Sequence, residues 1–128
     1  DTLTGGNRQD TFVFTSGDTG ITEGTADTIT DFVSGNDIID LSTITNGNIG
    51  TYVEASGASN TFDNFSANAA SSFTGSAVDI YVEYNLNGSG NTYILVDEDS
   101  NGAVSAGDTL IILSGLSSSG AVDSSDFI

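Results

Sequence analysis

Histidine, cysteine, lysine and tryptophan are all missing from this 128-residue chain, and its only basic residue is Arg8. Without cysteine there is no disulfide framework, so a chain working outside the cell must be stabilised by something else. Without histidine, cysteine or lysine, an enzyme would have to draw its acid, base or nucleophile from Asp, Glu, Ser, Thr and Tyr. Paired carboxylates can cleave glycosides, but glycosidase sites usually want aromatic platforms such as tryptophan, so no catalysis is expected. Eighteen acidic residues against one basic give a formal net charge of -17. Nucleic acid and anionic membrane surfaces are bound mainly through Lys and Arg, and both are disfavoured as partners on that ground. No apolar run approaches the length of a membrane span, so membrane insertion is not expected either. The chain opens on Asp1, with no signal peptide visible, and reads as a processed piece of something longer. Cations are its natural partners, and a bound divalent metal is the obvious substitute for disulfides.

What the sequence does have is a regular alternation of short apolar runs and turn clusters, which argues against the disorder that high net charge can signal. The runs are Thr11 to Phe14, Ile38 to Leu41, Val78 to Tyr84, Tyr93 to Val96 and Leu110 to Leu113, with Thr51 to Glu54 as a further candidate strand. Val78 to Tyr84 alternates strictly, which puts Val78, Ile80, Val82 and Tyr84 on one face; Tyr93 to Val96 follows as a hairpin partner. Phe62, Phe65, Ala69 and Phe73 recur at spacings of three and four, so one short helix is predicted there. The length suits one domain with one core. The expected fold is all-β: a single module with one short helix, divided into residues 1–41 and a β-rich meander or small sandwich over 42–128.

Three acidic constellations stand out. Gly5 to Val13 can be laid on the nonapeptide of calcium-binding β-helix repeats, with Asp10 as the acid, Phe12 as the inward apolar residue and Arg8 in place of one glycine. In such a turn, glycine lets the backbone fold so that carbonyl oxygens, here around Gly5 and Asn7, converge with the Asp10 carboxylate on one hard cation. Asp1, four residues ahead of Gly5, matches the acid of a preceding repeat. An ordinary Gly-Gly turn before a strand is the alternative. The second constellation is Asp97 to Asp108, which carries oxygens at positions 1, 3, 5 and 12, glycine at 6 and an aliphatic residue at 8. That is the spacing of an EF-hand-type loop: Asp97, Asp99 and Asn101 supply side-chain oxygens, Ala103 a carbonyl, Ser105 a water-mediated contact, and Asp108 closes the shell. Position 12 is Asp instead of the longer Glu, and strands rather than helices flank the loop, which excludes a helix-loop-helix sensor. The competing reading is a solvated acidic turn. The third and loosest cluster is Asp27 and Asp31, with Asp37 and Asp40 beyond it. Carboxylates on the face of Ile29 fit a strand only at its ends or against an ion.

Taken together, GGNRQDTFVF, DTITDFVSGNDIIDLS, the FTG at Phe73 to Gly75, VDEDSNG, LIILSGL and the terminal DSSDFI resemble the C-terminal region of serralysin-type metalloproteases and related haemolysin-type calcium-binding proteins. The resemblance implies the end of a parallel β-roll of calcium turns continued by a β-rich cap. It also implies ion binding by Asp10, Asp27 and Asp31, and a C-terminus read by a type I exporter, with Asp126, Phe127 and Ile128 as the signal. In that family the protease chemistry lies in a separate domain with a zinc-binding histidine motif, and this chain has no histidine. Similar tails end epimerases, lipases, adhesins and surface-layer proteins, so the resemblance names the tail and not its cargo. The expected function is a secreted, Ca2+-dependent folding and export module. The alternative is a surface-binding or assembly module gripping a polysaccharide or a neighbouring surface protein, with Tyr52, Tyr81, Tyr84 and Tyr93 as contacts. For the last three residues the competing reading is a final edge strand that covers the core.

Overall fold

Each apolar run is extended, and each Gly, Asn or Ser cluster between runs turns the chain, as the special backbone angles of those residues require. The computed structural model describes residues 1–57 and 59–128. The first four strands are short: β1 (Thr2–Leu3), β2 (Thr11–Val13), β3 (Asp27–Ile29) and β4 (Ile38–Asp40). After a four-residue helix, α1 (Ser42–Thr45), come β5 (Ile49–Ser56), a longer helix α2 (Phe62–Ser72), β6 (Val78–Tyr84), β7 (Thr92–Asp97) and β8 (Thr109–Leu113). Single 3-10 turns follow β6 at Leu86–Gly88 and precede the C-terminus at Ser124–Asp126.

The fold is mostly β, built on one mixed six-stranded sheet in the order β1-β3-β8-β7-β6-β5 and a separate two-stranded pair, β2-β4. Strands β6, β7 and β8 form an antiparallel meander. Every other pairing is parallel: β1 with β3, β3 with β8, β5 with β6, and β2 with β4. Successive short strands therefore alternate between the large sheet and the small one. The chain's end extends the small one, where Phe127 bridges Ile39 in parallel.

Two apolar layers result. One face of the six-stranded sheet packs on the β2-β4 pair through Phe12, Phe14, Ile29, Ile39, Ile80 and Ile111 among others. The opposite face is covered by α2, whose Phe65 and Ala69 meet Tyr81, Tyr93, Leu95 and Leu110. Residues from both 1–41 and 42–128 share the first layer, so the two segments have one core. Helix α2 starts where Thr61 accepts a bond from the Asn64 amide, a standard side-chain N-cap, and ends just before Phe73.

Three details differ from the sequence reading. A second helix, α1, sits in a stretch read as polar turn; its Ile44 and Thr45 are buried, and that packing overrides the weak helix preference of Thr-Ile-Thr. Strand β5 runs to eight residues rather than four. All seven residues of β6 are buried, because α2 covers the face that alternation alone leaves open.

Candidate metal centre

The acidic loop joins two strands of the meander. Asp97 ends β7, Thr109 begins β8, and the intervening turn needs left-handed backbone at Ser100 (φ 56°) and Gly102 (φ 74°). Folding brings the carboxylates of Asp97, Asp99 and Asp108 together, with one oxygen from each within 4.8 Å of the others. Calcium holds its oxygens at roughly 2.3–2.6 Å, so three oxygens spaced this way can share one ion. Asp97 and Asp108 are buried, at 0% and 3% exposure, while Asp99 is open to solvent.

Backbone amides hold the carboxylates in place. Asp97 accepts from the amides of Asn101 (3.2 Å) and Gly102 (2.9 Å), and Asp108 from those of Glu98 (3.1 Å) and Ser105 (2.6 Å). Burial pushes the carboxyl groups of Asp97 and Asp108 above the usual range; the amide bonds oppose this and the neighbouring charges add to it. A cation among the three oxygens would reverse the balance, since it favours the ionised forms. Asn101 turns its side chain to the loop itself, donating to Asp99 (2.7 Å) and accepting from the Ala103 amide (2.7 Å). Ser105 donates its hydroxyl to Asp99 at 3.3 Å.

At the other end of the molecule the Gly5-Gly6 turn is built around carboxylates as well. Asp31 accepts from the amides of Gly5 (2.9 Å) and Gly6 (2.7 Å), so it caps this turn. Arg8 has φ 117°, a conformation that suits glycine, which agrees with its reading as a replaced glycine of the repeat. The Asp10 carboxylate lies over Gly5: a Cβ there would stand 2.6 Å from Asp10 Oδ2. That oxygen is buried without a hydrogen-bond partner, an arrangement that costs free energy unless something cationic or donating meets it. Asn7 is exposed in the same turn. Asp27 is buried at the start of β3, on the face of Ile29, where its amide donates to the Thr19 hydroxyl (2.7 Å), and Asp1 is exposed. Among the described residues, Asp1, Asp10, Asp27 and Asp31 do not form a second group of three carboxylates as tight as the acidic loop.

The match to known families decides which protein class this is. The model of the peptidase M10 serralysin C-terminal family matches residues 1–128. The chain belongs to that family. No curated protein matches it. The serralysin C-terminal family is associated with calcium-binding repeats and secretion.

In this serralysin C-terminal domain the last three residues are part of the fold. The Ile128 amide donates to the Ile39 carbonyl (3.1 Å) and the Leu41 amide to the Ile128 carbonyl (2.7 Å). Phe127 is buried against Tyr52, with ring centroids 5.7 Å apart, whereas Ile128 remains 52% exposed. Asp126, also buried, accepts from the Ser34 hydroxyl (2.7 Å) and the Gly35 amide (2.8 Å), much as Asp31 does for Gly5 and Gly6. Its oxygen also accepts from the Asp123 amide in a capping box. Tyr81, Tyr84 and Tyr93 are buried in the core and Tyr52 half-buried, and the described residues enclose no pocket. No helix among them is long and apolar enough to cross a membrane.

Proposed function

We propose that this domain is a calcium-dependent folding and export module that carries no catalysis of its own. The observation that carries the reading is the acidic loop, where two of three converging carboxylates are buried. Bringing such charges together without a counter-ion is unfavourable, so metal and fold are thermodynamically linked. Asp97, Asp99 and Asp108 would hold the ion, with Asn101, Ala103 and Ser105 completing the loop. Asp10, whose buried Oδ2 lacks a partner, would hold a second ion with the carbonyls of the Gly5-Asn7 turn, where Asp31 adds negative potential.

Alternation of the short strands between two parallel ladders supports reading residues 1–41 as the end of a β-roll. Strand β8 and the tail then act as its last rung. Where calcium is scarce, as in the cytosol, mutual repulsion keeps the chain unfolded, and the Asp126-Phe127-Ile128 tail stays accessible to a type I exporter. In the calcium-rich exterior the carboxylates are neutralised, the roll closes and the tail is buried. Catalysis would need a general acid, base or nucleophile in a cleft, and the buried carboxylates of the acidic loop, Asp97 and Asp108, are committed to backbone amides.

Calorimetric calcium titration of the double variant Asp97→Ala, Asp99→Ala tests the loop. The expected result is one site fewer than in the wild type. Equal stoichiometry would reject the loop as a calcium site.

A further inference from the structure

Asp79 and Asp97 stand directly opposite each other across the β6–β7 ladder, and both are buried, at 1% and 0% exposure. Like charges in that relation oppose strand pairing, so Asp79 must be held by other contacts. It is not one of the three clustered carboxylates. Its Oδ1 accepts from the Thr51 amide (2.6 Å), and its Oδ2 from both the amide and the hydroxyl of Thr74, the latter at 2.7 Å. Asp79 thereby fastens the turn after α2 to the edge of the sheet.

That turn touches the acidic loop backbone to backbone. Gly75 (φ 65°) lies against Gly102 (φ 74°): a Cβ on Gly102 would stand 3.1 Å from the Gly75 Cα, and a Cβ on Gly75 3.3 Å from the Asn101 carbonyl. Both positions therefore need glycine twice over, for the left-handed backbone and for the close approach. Gly102 is also the residue whose amide donates to Asp97 Oδ2 at 2.9 Å. An unbroken line of contacts thus runs from Asp79 through Thr74-Gly75 to Asn101-Gly102 and on to Asp97.

We propose that Asp79 and Gly75 are positioning residues for the acidic loop: Asp79 pins the Thr74-Gly75 turn as a seat for Asn101-Gly102, and in the folded chain this seat holds the loop's oxygens in the array that an ion binds. The strength of calcium binding is then set by residues that do not touch the ion. This rests on the reading of Asp97 to Asp108 as a calcium site.

Calcium calorimetry on the full chain, with melting temperature as a second readout, tests it. Gly75→Ala and Asp79→Asn are each expected to weaken the loop site about 10-fold or more, the range seen for residues that orient metal ligands, and to leave the number of sites and the calcium-saturated circular dichroism spectrum unchanged. Thr74→Val removes the hydroxyl donor to Asp79 with no change of charge and is expected to weaken the site in the same direction. It also keeps the test open should Gly75→Ala fail to fold. Ser59→Ala removes a hydroxyl from the buried Glu83, outside this line of contacts, and is expected to lower loop affinity only as far as its fall in melting temperature accounts for. The proposal is overturned if Gly75→Ala, Asp79→Asn and Thr74→Val bind calcium with wild-type affinity, or lose affinity only in step with melting temperature as Ser59→Ala does. If the double variant Asp97→Ala, Asp99→Ala keeps the wild-type stoichiometry, the site itself is absent, a failure distinct from that of the seat.

Discussion

Phe127→Ala perturbs the tail as a structural rung while leaving its backbone in place. Phe127 is 5% exposed, packs on Tyr52, and lies in the same core layer as Phe12 and Ile39. Truncating a buried phenylalanine to alanine costs about 3–5 kcal/mol, a transfer contribution plus that of the cavity left behind. Against a typical total stability of about 5–15 kcal/mol this is a large share. For a domain of this size the loss corresponds to a fall of about 10–20 °C in melting temperature, measured at saturating calcium. Ile128→Ala is the matched comparison. At 52% exposure Ile128 has little apolar surface left to lose, and the cost should stay below about 1 kcal/mol. Urea unfolding followed by circular dichroism separates the two variants by their midpoints. Near-equal small effects would refute the burial of Phe127 as the final rung, and with it the idea that folding withdraws the tail from an exporter.

Asp126→Ala removes the acceptor for the Ser34 hydroxyl and for the amides of Gly35 and Asp123, and should cost about 3 kcal/mol or more in urea unfolding; a loss under 1 kcal/mol would contradict its role as a turn cap. Fusing residues 42–128 to an unfolded passenger in a host with a matching type I exporter should deliver the fusion to the medium. Deleting Ser124 to Ile128 should retain it inside, and equal secretion of both would remove the signal from those residues. In the calcium-free fold the carboxyl groups of Asp97 and Asp108 titrate above their ordinary value of 3.8. Their contribution to stability is therefore fully present below that pH and lost as pH rises through the raised values. Calcium requires the ionised forms, so loop affinity should fall as pH is lowered from 7 through the same window, and calorimetry showing constant affinity down to pH 4 would contradict this.

The convergence of the acidic loop was legible in the sequence because its carboxylates are local: the spacing from Asp97 to Asp108 is set by one turn, and Gly102 marks the left-handed residue that the turn needs. The Gly5-Gly6 turn was legible for the same reason, down to the glycine-like backbone of Arg8. Pairings between distant segments were not. Nothing local to Leu110-Ile111-Ile112 shows that β8 lies parallel to β3, or that Phe127 returns to Ile39. Burial of β6 was half legible. Alternation identifies Val78, Ile80, Val82 and Tyr84 as one apolar face. Asp79 and Glu83 on the other face look solvent-bound until Thr51, Thr74 and Ser59 supply their donors, beside the Tyr81 that α2 covers. Asp31 and Asp126 show the converse limit, since a carboxylate that caps a turn and one that binds an ion look alike in sequence.

If calcium binding and folding are one equilibrium, a calcium titration of metal-stripped protein followed by circular dichroism and thermal melting will move both together. With dissociation constants of about 10⁻⁴ to 10⁻³ M, as in extracellular modules, each site at tenfold excess adds roughly 1.4 kcal/mol, so a few sites decide whether a chain of net charge -17 folds. Most β structure should be lost in chelator and recovered at millimolar calcium, with a melting temperature that climbs with calcium concentration. A spectrum and melting temperature unchanged by chelator, in protein shown by elemental analysis to hold no residual metal, would contradict it.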